Sequence, residues 1–175
     1  DLVSELGCKQ SINDMIKYRI QKLTSKVNDI LLIADAPQLG AEGTSTAAIK
    51  LIEAQVMSGL LFNCESWIGI TEAQIDELQS FQDNFLKKLL HLLISTPKAI
   101  LHWDGGMEMI KWRIAKRKLM FVRKMMKAHC DNICKRAIIN KIIIGTKGLA
   151  SECKDLAKEL GIRDVRFCDM TKGEI

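Results

Sequence analysis

The sequence has few of the residues that stop helices and few of those that build sheets. Only two prolines occur in 175 residues, Pro37 and Pro97. Proline breaks a helix interior, so long uninterrupted helices are permitted almost everywhere else. Aromatic residues make up 5% of the chain, and β-branched residues are scattered without strand-like alternation, which leaves no strand signal of period two. Unbroken apolar runs fall short of the roughly 20 residues that span a bilayer. The opening "DLVSELGCKQ" has neither a basic n-region nor an apolar h-region, so no secretory signal is visible. The expectation is an intracellular protein, cytoplasmic or nuclear, with no membrane partner. A first residue other than Met is what a piece cut from a longer chain would show.

What is present fits a folded domain. Hydrophobic residues reach 47% and charged residues 27%, ordinary values for a globular chain. The length suits one domain, or one domain with a tail, and allows a real core. Six cysteines (Cys8, Cys64, Cys130, Cys134, Cys153, Cys168) stand mostly in apolar surroundings. Without a secretory signal they read as reduced thiols packed like small hydrophobes.

Periodicity divides the chain. Ile12, Ile16, Ile20, Leu23, Val27 and Leu31 recur three or four residues apart, predicting a helix capped by Ser11 and closed by Pro37. "QLGAEGTS" (38–45) predicts a loop, and a second helix from about Thr44 runs into "MSGLLFNCESW", the most apolar stretch. Thr71 caps a third helix over 72–93, whose inner face is Ile75, Leu78, Gln82, Phe85, Leu89 and Leu92, with Gln82 the one polar member. "STPKAILHWDGG" predicts a turn, a short helix opened by Pro97 and a glycine stop. A basic helix follows from about Met107 to Ala128. Beyond His129 periodicity weakens, then "LASECKDLAKELGI" gives a short amphipathic helix, with room for a short strand near the C-terminus. The fold class is all-α, an irregular bundle of about five to seven helices. A soft boundary separates residues 1–128 from a helical tail, 129–175.

The basic helix carries the functional signal. "KWRIAKRKLMFVRKMMK" (111–127) holds eight Lys/Arg and no Asp or Glu, so the rest of the chain sums to −3 against a total of +5. At about 100° per residue with Ile110 as zero, Arg113, Lys116, Arg117, Arg123, Lys124 and Lys127 fall within about 220° to 340°. The apolar residues occupy most of the opposite arc, which Lys111 and Lys118 interrupt. Solvated helix faces usually alternate sign, because like charges at i,i+4 repel. A stripe of one sign therefore points to a polyanion, with intramolecular pairing and a membrane-surface helix as the alternatives. Nucleic acid is the expected polyanion, since phosphate binding needs little beyond positioned Lys and Arg.

Other chemistry is weakly signalled. His129-Cys130-x-x-x-Cys134 offers zinc-type donors, but structural zinc sites favour tighter cysteine pairs with a matching second pair. Packed thiols and no metal are the expectation. "IIIGTKGLAS" looks like strand, turn and helix but lacks the phosphate-loop pattern. Asp104 and Glu108 lack a supporting histidine or metal ligand and read as turn and helix-start residues. His91 and His102 read as core or boundary histidines. Trp67, Trp103 and Trp112 read as core or rim anchors rather than stacking platforms.

The ordered motifs resemble the region just downstream of the catalytic palm in reverse transcriptases of non-LTR (LINE-like) retrotransposons. They are Glu65-Ser66-Trp67 closing an apolar run, Leu78 with Phe81-Gln82, Phe85-Leu86-Lys87-Lys88, Thr96-Pro97, and Ile114, Arg117, Leu119 and Phe121 on the basic helix. "GCKQSINDMIKYRI" looks like the segment after that family's Tyr-Leu-Gly-Asp turn, with Asp1 its last residue. One departure is Asp104-Gly105-Gly106-Met107-Glu108, where the family has Glu-x-Gly-x-x-Pro. The resemblance implies a thumb-like region of an RNA-directed DNA polymerase that lies against primer–template or RNA through phosphates and packs on an upstream palm domain. Lys87 and Lys88 would join the stripe in those contacts. It also implies no catalytic residue and no cofactor in this span, since the magnesium-binding aspartates of the parent enzyme belong to the palm. Two rivals remain at this stage, a helical protein–protein interaction module and a stand-alone helical DNA-binding protein. Oligomeric state is left open.

Overall fold

The computed structural model describes residues 11–34, 41–144 and 148–159. Among them the chain is all-α, with seven helices and no strand. The expected C-terminal strand, Pro37, Cys8 and Cys168 lie outside the described residues.

The first unit draws on the chain up to Phe62 and on Ile70–Ile110. Helix α1 (Ile12–Ala34) starts at Ser11, whose Oγ accepts from Asp14 N–H at 3.1 Å and donates to the Asp14 carboxylate at 2.7 Å. Ile16, Leu23, Val27 and Ile30 form its buried stripe. Helix α2 (Ala41–Ile52) begins earlier than its sequence suggested: residues 41–45 are helical rather than a loop. Gly and hydroxyl residues there weaken helix propensity without forbidding it, since tertiary context overrides so small a preference. The helix continues through a π-helical turn, Glu53–Met57, and a last turn, Ser58–Leu60. Its end is satisfied from α1, where Arg19 Nη1 donates to the carbonyls of Leu60 (3.1 Å) and Phe62 (2.7 Å). These are the orphan acceptors every helix leaves at its C-terminus.

Thr46–Ser66 is long and apolar enough by composition to cross a membrane, with a mean hydropathy of 1.2. The expectation that no such stretch exists is corrected. Ile52, Val56, Met57, Leu60 and Leu61 are nonetheless core residues, each at most 1% exposed.

Helix α3 (Glu72–Leu89) opens with a capping box between Thr71 and Gln74. It ends four residues sooner than its apolar pattern predicts. His91 takes a left-handed backbone (φ 50°), Leu92 N–H bonds to Lys87 C=O at 2.9 Å and His91 N–H to Lys88 C=O at 3.2 Å. That is the glycine-type helix stop, made here without glycine. Helix α4 (Lys98–Gly105) follows Pro97 and is closed by Gly106 at φ 58°. Leu78, Phe85, Leu86, Leu89, Leu101, Met107 and Ile110 complete this unit's core.

Gln79, Gln82 and Asp83, three buried polar residues of α3, knit α4 and the residues after it to α3. His102 lies 3.0 Å from Asp83 Oδ1 through Nε2 and 2.9 Å from Met107 C=O through Nδ1. Gln79 Nε2 donates to Asp83 at 2.7 Å, Gln79 Oε1 accepts from Ile110 N–H at 2.9 Å, and Gln82 Nε2 donates to Glu108 C=O at 3.1 Å. The backbone from Met107 to Ile110 is thus held by side chains. Gln82, polar on an otherwise apolar face, has this as its physical reason.

The second unit draws on Asn63–Gly69 and on the chain from Lys111 onward. It contains the bulk of α5 (Ile110–Met126), then α6 (Ile133–Ile144) and α7 (Leu149–Glu159). Leu119 and Val122 of α5 pack with Cys153 and Ala157 of α7, and Met126 and Leu149 cover them. Ile142–Ile144 close α6 rather than forming a strand, which removes the phosphate-loop reading of that stretch.

Candidate nucleic-acid interface

Helix α5 sorts its residues as their angular positions require. Ile114, Ala115, Leu119 and Val122 are each at most 3% exposed, while Lys116, Lys124 and Lys127 face solvent. Arg113, Arg117 and Arg123 flank them half-buried. Five lie in one stripe of α5, and Lys127 follows at its C-terminal end, its N–H bonded to Arg123 C=O at 3.1 Å. Among the described residues no carboxylate lies within ion-pair distance of Lys116, Arg123, Lys124 or Lys127. Arg113 and Arg117 do have partners; Arg117 Nη1 also reaches Cys64 Sγ at 4.0 Å. Arg123 Nε is buried without a hydrogen-bond partner, so its aliphatic stem and inner nitrogen sit in the protein. The stripe is therefore not wholly free of internal partners, as its sequence suggested; among the described residues its three lysines have no carboxylate partner.

The two basic residues on the apolar arc have separate explanations. Lys118 is 2% exposed. Its Nζ donates to Glu152 Oε2 at 2.7 Å and to Trp67 C=O at 2.6 Å, and Glu152 Oε1 accepts from Gly69 N–H at 2.6 Å. A buried ammonium is tolerable only when paired in this way. This cluster holds residues 67–69, α5 and α7 together within the second unit. Lys111 pairs with Glu159 at 3.0 Å and lies over the Trp112 ring. Glu152 stands 34 residues from Lys118, and no local pattern in the sequence links them.

The described part of the second unit holds thirteen Lys/Arg and five Asp/Glu, a net of thirteen less five, or +8. The remainder of the chain is therefore −3 (5 minus 8). Such asymmetry creates a positive field on one unit, independent of pairwise contacts.

Lys87 and Lys88 belong to the first unit. Lys88 is exposed, while Lys87 Nζ donates to Ile94 C=O at 2.6 Å. With Leu31, Asn84, His91, Leu92 and Ile94 they line an open groove of about 690 Å³.

Several sequence expectations change. Cys64 and Cys153 are buried as expected, and burial pushes their thiols up, that of Cys153 to about 12. Cys130 and Cys134 are exposed instead, because the turn after α5 and the first turn of α6 cover neither. Trp67 is a core residue, but Trp103 is 87% exposed, since the short α4 turns only Leu101 and Gly105 fully inward. His102 is a half-buried network member, and His91 is an exposed helix stop.

No protein family, curated protein or solved structure matches the chain.

Proposed function

We propose that the basic face of α5 binds the phosphate backbone of RNA or of an RNA–DNA duplex, without reading sequence. The observation that carries this reading is the set Lys116, Lys124 and Lys127: one face, exposed, and without a carboxylate partner among the described residues. Lysines in that state are available to neutralise backbone phosphates, and release of the cations condensed on the polyanion drives association. The resemblance of the ordered motifs extends the proposal. The chain is the thumb-like part of a retrotransposon-type RNA-directed DNA polymerase, holding primer–template while a palm elsewhere performs the chemistry. Residues that carry the resemblance, including Trp67, Leu78, Gln82, Phe85, Leu86, Ile114 and Leu119, are buried. They have a packing role, and the function rests on the lysines.

The test is fluorescence anisotropy with a labelled RNA–DNA duplex at low salt. Lys116→Glu, Lys124→Glu and Lys127→Glu together are expected to weaken binding by at least about a hundredfold, roughly 1 kcal/mol per contact. Unlabelled random-sequence duplex is expected to compete as well as the labelled sequence. Unchanged affinity in the triple variant refutes the assignment.

A helical interaction module is the second reading, and α6 favours it. Ile133, Ile143 and Ile144 are each more than 70% exposed there, an unusual outlay of large apolar side chains. A chain that binds an acidic protein but no duplex at low salt would decide for it.

A further inference from the structure

The turn between α5 and α6 holds a cluster that phosphate binding does not use. His129, Cys130 and Asp131 are consecutive and exposed, and one donor atom from each lies within 4.8 Å of the others. Cys130 Sγ is 3.6 Å from His129 Nδ1 and 3.9 Å from Asp131 Oδ1, and Nδ1 is 3.1 Å from Asp131 Oδ2. Zinc bonds of about 2.3 Å to sulfur and 2.0–2.2 Å to nitrogen and oxygen, at tetrahedral angles, put ligand atoms about 3.4 to 3.6 Å apart. The three side chains already span that range. One Asp131 oxygen faces the sulfur and the other faces Nδ1, so metal binding would turn the carboxylate to offer a single oxygen.

A second observation concerns the lone pairs. Asp131 N–H points at Nδ1 from 3.4 Å. The carboxylate oxygen 3.1 Å away presents a further lone pair to the same atom. The two atoms face one another across a gap that either a proton or a cation can occupy. A proton on Nδ1 would join the ring to the carboxylate alone, with the thiol turned to the other carboxylate oxygen at 3.9 Å. A divalent ion takes the imidazole, the sulfur and the carboxylate together. The turn is braced on both sides: Asn132 Oδ1 accepts from Lys135 N–H at 3.1 Å, and Lys135 Nζ donates to Ala128 C=O at 2.9 Å.

We propose that His129, Cys130 and Asp131 bind one zinc ion, with water as the fourth ligand. One thiolate, one imidazole and one carboxylate suit zinc rather than the oxygen-seeking magnesium or calcium. Neutral imidazole, thiolate and carboxylate balance the ion's two charges, and the thiol proton passes to solvent on binding. Three protein donors and an open position make the site exchangeable. The expectation that this span holds no metal assumed packed thiols, and Cys130 is not packed.

The test is titration of the EDTA-treated, dialysed chain with cobalt(II), followed by zinc. The expected result is saturation at one equivalent, with a thiolate-to-cobalt charge-transfer band and tetrahedral visible absorption that zinc abolishes. His129→Ala, Cys130→Ser and Asp131→Ala should each lose the spectrum, whereas Cys134→Ser should keep it. A wild-type chain with no charge-transfer band overturns the proposal. So does a band that survives Cys130→Ser or disappears in Cys134→Ser. All four positions are exposed, so the variants fold. Duplex binding is measured in EDTA, and the two readings fail independently.

Discussion

Lys118 shows how one side chain can be read wrongly from its type. Its angular position puts it on the apolar arc of α5, where a charge looks like an imperfection. Its ammonium in fact meets Glu152 and the Trp67 carbonyl in the interior. Removing one member of such a pair leaves a buried charge uncompensated, at a cost of about 3–5 kcal/mol. Glu152→Ala is therefore expected to lower the urea midpoint sharply, with the m-value unchanged. A Lys118→Met, Glu152→Leu double variant should recover part of that loss, since it removes both charges but leaves Trp67 C=O and Gly69 N–H without these partners. The cysteines make a second prediction at this scale. Cys130 and Cys134 should react promptly with a thiol reagent, while Cys64 and Cys153 react only in denaturant, as mass spectrometry of the labelled chain can show. The Cys153 thiol ionises near 9.0 when unfolded but near 12 when folded. Above about pH 9 the unfolded chain therefore holds fewer protons than the native one, and stability falls as pH rises. Below that range this contribution is fully present, and Cys153→Ala should flatten the decline.

At the scale of elements, helices were legible wherever apolar spacing and a polar cap coincide. Ser11 before α1, Thr71 before α3, and Pro97 with Gly106 around α4 all sit where the spacing put them. Boundaries made by unusual residues were not legible. His91 ends α3 in a left-handed conformation that sequence reasoning reserves for glycine. Residues 41–45 look like a loop, yet they are helical. Gln82 was visible as an anomaly, but its partner is a backbone carbonyl 26 residues away, which no periodicity reveals. The network it shares with Gln79, Asp83 and His102 holds residues 107–110 where α5 begins. Gln79→Leu removes the acceptor for Ile110 N–H and a donor to Asp83, leaving buried groups unpaired. The expected loss is about 2 kcal/mol, with amide exchange accelerated at Ile110 more than at mid-helix positions of α3. Equal protection at Ile110 in both proteins would mean the network is incidental.

At the scale of the whole molecule, the decisive property is the uneven charge. The second unit carries the positive excess, and α5 displays its part of that excess on the face opposite its packed residues. The stripe was legible because it depends on one helix and one angle. Which of its members keep internal partners was not, because those partners come from distant segments. Arg113 and Arg117 are partnered, and Lys116, Lys124 and Lys127 present their ammonium groups to water. The exposed cationic face of α5 is thus narrower than the run of eight basic residues implies. Cys130 and Cys134 were read as packed thiols and are exposed, because tertiary cover, rather than residue type, decides whether a cysteine is packed.

The most direct measurement is the salt dependence of duplex binding, taken as the slope of log affinity against log salt. Replacing Lys116, Lys124 and Lys127 by Ala is predicted to reduce that slope by about 3, close to one per lost phosphate contact. A slope identical to that of the unaltered chain would contradict the assignment of this face to nucleic acid.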